Sequence, residues 1–393
     1  MVTIHYHRAS VLSRLDPSYY ISDEVFRRER ELLFGRIWQF FTLKPLLARH
    51  NAFVVRSLGG RSIVVQNFHG ELRAFENVCL HRQAPLQWES EGVRPLVCRY
   101  HAWSYAENGR VDNIPFRDEV YRIGERAQAE LCLPTFKLNV IGNLVFINLA
   151  ADPLPIEDQF APAMIESLRA SSASYDGEVA VTTFRRAFNW KLAYENLRDG
   201  NHPRFIHAKT LAKTFSFLPG IDESMVAEAK VFSASAAPSR EAAMTHLRRL
   251  SYHGMDSELE SFQPLEWNYA VTPWQDKIGY FNWLAFPNLH IATATGGHAF
   301  TIEHHVPVSA GVIDVILYWV MATKSAPYPQ TPAVLFANML GSERVLSEDF
   351  EVMEKVQSAL HERAPRAILG DYEGLNMMVE SWYAPLMEGR IVL

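Results

Sequence analysis

The 393-residue chain is 48% hydrophobic and 21% charged, ordinary for a globular protein with room for two or three separately buried cores. A net charge of −6 and a pI near 6.2 argue against a nucleic-acid partner, since no basic excess is available to displace phosphate counterions. The longest apolar run, Val315–Ala322, is far short of the roughly 20 residues of a membrane span, and no signal-type apolar core stands near the N-terminus, so cytoplasm is the expected location.

Ser22–Trp38 reads as a helix. Ser22 can cap it, Asp23 and Glu24 suit its positive end, and Val25, Phe26, Leu32, Leu33 and Ile37 make an apolar stripe. It belongs to an expected N-terminal arm (1–37) that packs on a later domain. From 38 to 150 the pattern turns to short β segments. Phe53–Leu58 and Arg61–Gln66 flank Gly59-Gly60, Leu72–Phe75 follows a turn at Asn67–Gly70, and Val140–Leu149 turns at Gly142-Asn143. A compact antiparallel β domain is predicted.

Two loop tips of that domain carry Cys79-x-His81 and Cys98-x-x-His101, with sixteen residues between His81 and Cys98. Such a set can hold a structural zinc or a [2Fe–2S] cluster. Zinc-finger histidines usually arrive together after a cysteine pair. Here each loop brings one Cys and one His, so each loop would serve both irons of a cluster. Histidine in place of cysteine removes negative charge and raises the potential, which suits an electron relay. Cys132, the third cysteine, is expected to be a small buried hydrophobe.

Ala150–Ile156, with two prolines, is the predicted linker to a domain over 151–393. Val179–Arg186 is strand-like and Phe188–Asp199 helical. Leu211–Pro264 reads as irregular, the place for an entrance or lid. Tyr280–Phe286, Leu289–Thr295, Phe300–Val306 and Val312–Thr323 predict an antiparallel meander, closed by helices over Ala333–Leu340 and Ser347–Leu360. No G-x-G-x-x-G or P-loop is present.

Glu195-Asn-Leu-Arg-Asp199-Gly-Asn-His202-Pro-Arg-Phe-Ile-His207 places two histidines at a helix end leading into a turn, where both can reach one metal. A facial triad needs one carboxylate besides and leaves positions open for O₂ and substrate. Asp349 is the best candidate, sharing a helix face with Met353 and Val352/Val356, while Glu348, Glu351 and Glu354 fall toward solvent; Glu343 and Glu348 are the alternatives. His304-His305 lies in a predicted strand, so its rings face opposite ways. Trp283, Phe286, Tyr318 and Trp319 read mainly as core, and His5 and His7 as part of the arm.

The C-x-H-x₁₆-C-x-x-H spacing, with Tyr100 and Trp103-Ser104-Tyr105 in the second loop, resembles the Rieske motif. Gln83 and Ala102 stand where that family usually has glycine. Taken whole, the chain is similar to the large (α) subunit of Rieske non-heme iron oxygenases. The carriers are Phe188-Asn-Trp-Lys, the Glu195–His207 run and the Asp349-to-Gln357 spacing; Asn201 replaces the family's common Tyr. The resemblance implies an α+β fold: an N-terminal antiparallel β Rieske domain, then a catalytic domain with a large helix-covered antiparallel sheet of helix-grip type. It implies a [2Fe–2S] cluster on Cys79, His81, Cys98 and His101, and mononuclear Fe(II) on His202, His207 and Asp349. Asp199 would then be no ligand but a bridge from His202 to His101 of a neighbouring subunit. A homotrimer follows, with or without a small β subunit, fed from NAD(P)H through a reductase or ferredoxin. It would oxygenate or demethylate a small organic, most commonly aromatic, substrate. The competing expectations are a zinc-stabilised binding protein and a relative with a degenerate iron site.

Overall fold

The computed structural model describes residues 12–216, 228–229, 232, 238–259, 263–362, 364–370 and 373–393; His5, His7 and part of the expected lid lie outside them. Contacts divide the chain into Phe34–Pro153 and a second unit made of the residues up to Leu33 together with Leu154–Leu393.

In the first unit, β-branched and aromatic runs punctuated by turn residues give β1 (Gln39–Leu43), β2 (Ala52–Leu58), β3 (Arg61–Phe68), β4 (Glu71–Glu76), β5 (Glu91–Val93), β6 (Ser104–Tyr105), β7 (Val111–Asn113), β8 (Thr135–Ile141) and β9 (Leu144–Asn148). Gly59 and Gly60, at φ 55° and 78°, make the left-handed two-residue turn whose twist matches the β2–β3 hairpin. Among the described residues the strands form an antiparallel sheet ordered β1-β9-β8-β4-β3-β2-β5 and a β6-β7 pair. Alternation along β2 and β3 sends Phe53 and Val64 into one core and Val54 and Val65 into another, so both sheet faces are covered. The first of these cores contains Cys79 and Cys98.

In the second unit a single helical turn, Ser18–Ile21, precedes α1 (Asp23–Glu29), which is capped by Ser22, whose hydroxyl accepts from Val25 N. The helix predicted over Ser22–Trp38 continues only as a π-type turn to Phe34, and Trp38 lies directly before β1. Then follow α2 (Pro162–Ala173), β10 (Tyr175–Arg186), α3 (Trp190–Asn196), α4 (Pro203–Ile206), α5 (Arg240–Arg248), β11 (Tyr252–Glu258), β12 (Gly279–Ala285), β13 (Leu289–Thr293), β14 (Ala299–Ser309), β15 (Val312–Ala322), α6 (Thr331–His361) and α7 (Gly374–Met387). The strands form an antiparallel sheet ordered β10-β15-β14-β13-β12-β11, so the predicted meander is flanked by β10 on one side and β11 on the other.

Three expectations change. Leu211–Pro264 contains regular structure, α5 and β11. The two closing helices are one, α6, running through Gly341 because a single interior glycine costs a helix only about 1 kcal/mol. The buried face of α6 is Leu346, Asp349, Phe350, Met353 and Gln357, whereas Val352 and Val356 are 38% and 40% exposed. Phe350 meets Phe184 of β10 and Phe188 before α3.

α1 is tied into this unit by charge. Glu29 is fully buried, accepting from Lys191 Nζ at 2.6 Å, from Trp190 Nε1 at 3.0 Å and from the Tyr383 hydroxyl. The Lys191 ammonium also stands 5.1–5.4 Å from the ring centres of Trp190, Tyr20 and Tyr383. Removing one partner would strand a buried charge. Glu29→Gln is therefore expected to cost about 3–5 kcal/mol, read as a lowered urea midpoint, with Glu29→Gln/Lys191→Met less destabilised than the single variant.

Candidate metal centres

The two Cys/His loops of the β unit are closed by the same pair of backbone bonds. In the first, Gln83 N donates to Cys79 O (3.0 Å) and Cys79 N to Ala84 O (2.8 Å); in the second, Ala102 N donates to Cys98 O (3.0 Å) and Cys98 N to Trp103 O (2.9 Å). This tight return forces the residue four after each cysteine into the left-handed region, at φ 59° for Gln83 and 56° for Ala102. Glycine suits these positions because any Cβ there crowds the backbone. The first loop is tied down by buried Asn77, which accepts from Leu86 N and Gln87 N and donates to Gln87 O.

Cys79 and Cys98 are buried, and His81 and His101 are half-buried beside them with ring centres 4.5 Å apart. Trp103 stacks on His81 at 5.1 Å, and Tyr100 leans on His101 at 3.9 Å. The Tyr105 hydroxyl donates to Cys79 Sγ at 3.2 Å while accepting from Leu80 N. Burial pushes the Cys79 thiol up, and among the described residues the buried His101 Nδ1 has no partner. A cluster iron would answer both, drawing a thiolate and an imidazole nitrogen as ligands. Ligands of a single tetrahedral zinc would stand about 3.8 Å apart. Among the described residues, the one set of three or more such donors gathered within 4.8 Å is His202, His207 and Asp349, so these four are not drawn around one ion.

The second centre sits where α3 runs into α4. His202 and His207 bracket α4, whose first position is Pro203. His202 Nδ1 is 2.6 Å from Asp199 O, and His207 Nδ1 is 2.8 Å from Glu348 Oε2, which also accepts from Thr210 Oγ1. Acceptors at both Nδ1 atoms put the protons there, so each Nε2 offers a lone pair. Both lone pairs face Asp349 Oδ1, at 3.6 Å from His202 and 3.2 Å from His207; Asn196 Nδ2 donates to the same oxygen at 3.0 Å. First-row metal bonds of roughly 2.1 Å put neighbouring ligands about 3 Å apart, so the set fits one ion. Burial pushes His202 down, whereas for His207 burial is outweighed by Asp349 and Glu348, which push it up. The Asp199 carboxylate stands 3.9 Å from His202 Nδ1 and accepts instead from Asn201 N.

These ligands open on a cavity of about 550 Å³. Its apolar lining includes Leu197, Leu284, Ala292, Ala337 and Val345, and Gly341 adds open space where a side chain would stand. Its polar lining is a chain across β11–β14. Tyr252 donates to Asp256, and His290 lies between Asn282 Oδ1 (2.7 Å) and Glu303 Oε1 (2.8 Å), with His305 on the other Glu303 oxygen. Burial pushes Asp256 up. For Glu303, burial is overcome by His290 and His305, which hold it well below the carboxylate range.

A family model described as the ring hydroxylating alpha subunit (catalytic domain) matches residues 168–389, more than half of the chain. The chain belongs to the ring-hydroxylating alpha-subunit family. A second model, the Rieske [2Fe-2S] domain, matches residues 39–137, and the cofactors of these two domains are a Rieske [2Fe–2S] cluster and mononuclear iron. This alpha-subunit chain is 30% identical over 213 residues to the glycine betaine monooxygenase oxygenase subunit of Pseudomonas aeruginosa (strain UCBPP-PA14), covering 50% of this chain and 46% of that one. It is 30% identical over 188 residues to the carnitine monooxygenase oxygenase subunit of Escherichia coli (strain K12), covering 47% and 49%. It thus spans about half the length of the curated relatives it matches. A solved quaternary ammonium Rieske monooxygenase aligns at TM-score 0.70 and 19% identity over 95% of this chain and 96% of that one. Naphthalene 1,2-dioxygenase from Rhodococcus sp. bound to indole aligns at 0.70 and 17% over 95% and 94%. At such identities the likeness is one of fold, and the α+β architecture expected for the alpha subunit is the one found.

Some residues differ from expectation. Glu348 is no solvated bystander but the partner of His207, and Glu343 is exposed, away from the ligand set. Cys132 is exposed rather than buried, on an isolated bridge to Arg110 with its sulfur near Asn108 O. His304 and His305 are buried and neither lines the cavity; Trp283, Phe286, Tyr318 and Trp319 are core and do not line it either. Sequence reasoning missed Asn196, Arg198, Asp256 and Glu303. Arg198 alone left a trace, four residues after the core-facing Tyr194 and so on the buried side of the turn that follows α3.

Two outcomes follow from this geometry. Gln83→Gly and Ala102→Gly should each stabilise the β unit by about 0.5–1 kcal/mol, relief of left-handed strain less the entropy of a freer unfolded chain, read as a rise in the thermal midpoint. Glu348→Gln should weaken retention of the mononuclear metal by roughly 10–100-fold in a chelator competition while leaving the cluster irons in place.

Proposed function

We propose that the chain is the oxygenase component of a multicomponent Rieske system, with the cluster on Cys79, His81, Cys98 and His101 and Fe(II) on His202, His207 and Asp349. The observation that carries this is the pair of Nε2 lone pairs converging on Asp349 Oδ1 at the wall of a substrate-sized cavity, in a chain that also carries a Rieske domain. When bound, the cluster supplies single electrons and the Fe(II) activates O₂ for insertion into an organic substrate.

The chain's own groups do the rest. Tyr105 donates to Cys79 Sγ, which favours the more negative, reduced state and so raises the potential. Glu348 and Asp199 O hold the His207 and His202 protons on Nδ1 and keep both rings in register. The three ligands leave one face of the site to the cavity, whose apolar walls hold a small molecule and limit water. Asp199 Oδ2 is engaged neither as a ligand nor as the acceptor for Asn201, which suits a bridge from the His202 side to His101 of a neighbouring copy, and hence a homotrimer. Electrons would come from NAD(P)H through a reductase or ferredoxin. The names of relatives span betaine, carnitine, salicylate and naphthalene chemistry, so for this chain the substrate is proposed only as a small organic molecule.

Purified protein should be reddish-brown, hold about three irons per chain, two of them in the cluster, and give a Rieske EPR signal on reduction. Asp349→Ala should keep the cluster signal but lose the third iron, and with it turnover by more than the roughly 10–100-fold cost of an outer partner. A colourless protein with one zinc per chain would refute the assignment.

A further inference from the structure

The cavity wall contributed by α6 has a gap that the helix itself does not need. Ala337, Gly341, Val345 and Asp349 follow one another at four-residue spacing, so they share a helix face, and all four line the cavity. Gly341 lies in the interior of α6. Glycine there costs stability, because it has the most backbone freedom to lose on entering a helix.

Three ordinary reasons for a glycine fail at this position. Its backbone is helical, so no left-handed angle calls for it. It is far from either end of α6, so it caps nothing. No neighbour stands too close: among the described residues an added Cβ meets no atom within 4 Å. Gly279 shows the contrast, since a Cβ there would stand 2.4 Å from Ser257 O. What the missing side chain leaves at Gly341 is room in the cavity.

That room is at a defined distance from the metal ligands. Gly341 stands two i+4 steps before Asp349, about 12 Å along the helix axis. The opposite wall is low as well: Ala292 and Thr301 pair across β13 and β14 and line the cavity together with Ala299. The Ser342 hydroxyl, 3.0 Å from that of Thr301, holds α6 at a fixed separation from the sheet beside this gap.

We propose that Gly341 is a specificity-determining residue of this alpha subunit. The far end of the substrate lies over its bare backbone, and the absence of a side chain sets how long a molecule the His202–His207–Asp349 face can accept. This rests on the oxygenase reading and adds to it the residue that limits substrate length.

The test is calorimetric titration of the iron-loaded protein with rigid neutral probes of increasing length: benzyl alcohol, 2-naphthalenemethanol and 4-phenylbenzyl alcohol. A rigid probe cannot fold away from an obstacle. In the unaltered protein 4-phenylbenzyl alcohol should bind about tenfold or more tighter than benzyl alcohol, since its second ring adds apolar contact. G341A should weaken 4-phenylbenzyl alcohol by about tenfold and G341V by more, with benzyl alcohol staying within about twofold and 2-naphthalenemethanol between. G341A should also raise the thermal midpoint by about 2 °C, because alanine is the better helix former and has space there. The EPR signal and iron content show that each variant is folded and loaded. An affinity for 4-phenylbenzyl alcohol unmoved by G341V would overturn the proposal. So would equal weakening of all three probes, no binding by any of them, or a lowered midpoint in G341A. Binding needs no turnover, so its failure with an intact three-iron protein rejects the role of Gly341 alone. Absent iron rejects the oxygenase reading, and the same titrations still read the length of the cavity.

Discussion

In the catalytic unit the Nε2 atoms of His202 and His207 stand 3.6 and 3.2 Å from one oxygen of Asp349, and the surrounding structure prevents either ring from turning away. Three electron-rich atoms at such distances repel one another unless a cation lies among them, so their approach must be enforced from behind. Asp199 O and Glu348 do so for the rings, and Asn196 for the carboxylate. Glu348 and Asp349 are neighbours on α6, which lets one helix present both a ligand and the brace of another ligand. That double duty needs α6 to be rigid here, and the packing of Phe350 on Phe184 and Phe188 supplies the rigidity.

The Cys/His loops solve a related problem with backbone rather than side chains. Each loop must bring one Cys and one His to the same side within a few residues. The return bonds to Cys79 O and Cys98 O achieve this by turning the chain through a left-handed residue. Gln83 and Ala102 show that the turn is imposed by the loop closure and not by glycine. The strained conformation is held by the two bonds and by the buried cysteines beneath it, and Gln83 and Ala102 themselves stay at the exposed tips.

The legible parts of the sequence were those with short-range causes. Gly59-Gly60 marks its hairpin because two successive positive φ angles exclude most other residues, and Cys79, His81, Cys98 and His101 are legible because ligand chemistry constrains spacing. Asp349 was legible as a carboxylate on an apolar face. The rest depends on tertiary partners. Glu348 looks solvated until His207 arrives from 141 residues away. β11, Tyr-His-Gly-Met-Asp-Ser-Glu, has no strand-like alternation because it is an edge strand with one side toward the cavity, where Tyr252 and Asp256 are needed more than apolar side chains. Gly341-Ser342 reads as a break, yet in α6 it provides space: Gly341 keeps the cavity open and Ser342 bonds Thr301.

The buried charges of this unit fall into two groups. Glu29 with Lys191 is a closed pair, sealed by aromatic rings, and concerns only the seating of α1. The cavity charges are arranged differently. Glu303 is enclosed by two histidines, whereas among the described residues Asp256 is met by a hydroxyl and an amide, and Arg198 by a carbonyl and a hydroxyl. Burial without a close countercharge moves both groups away from their ordinary titration, Asp256 up and Arg198 down, whereas its two histidines hold Glu303 low although it is deeply buried.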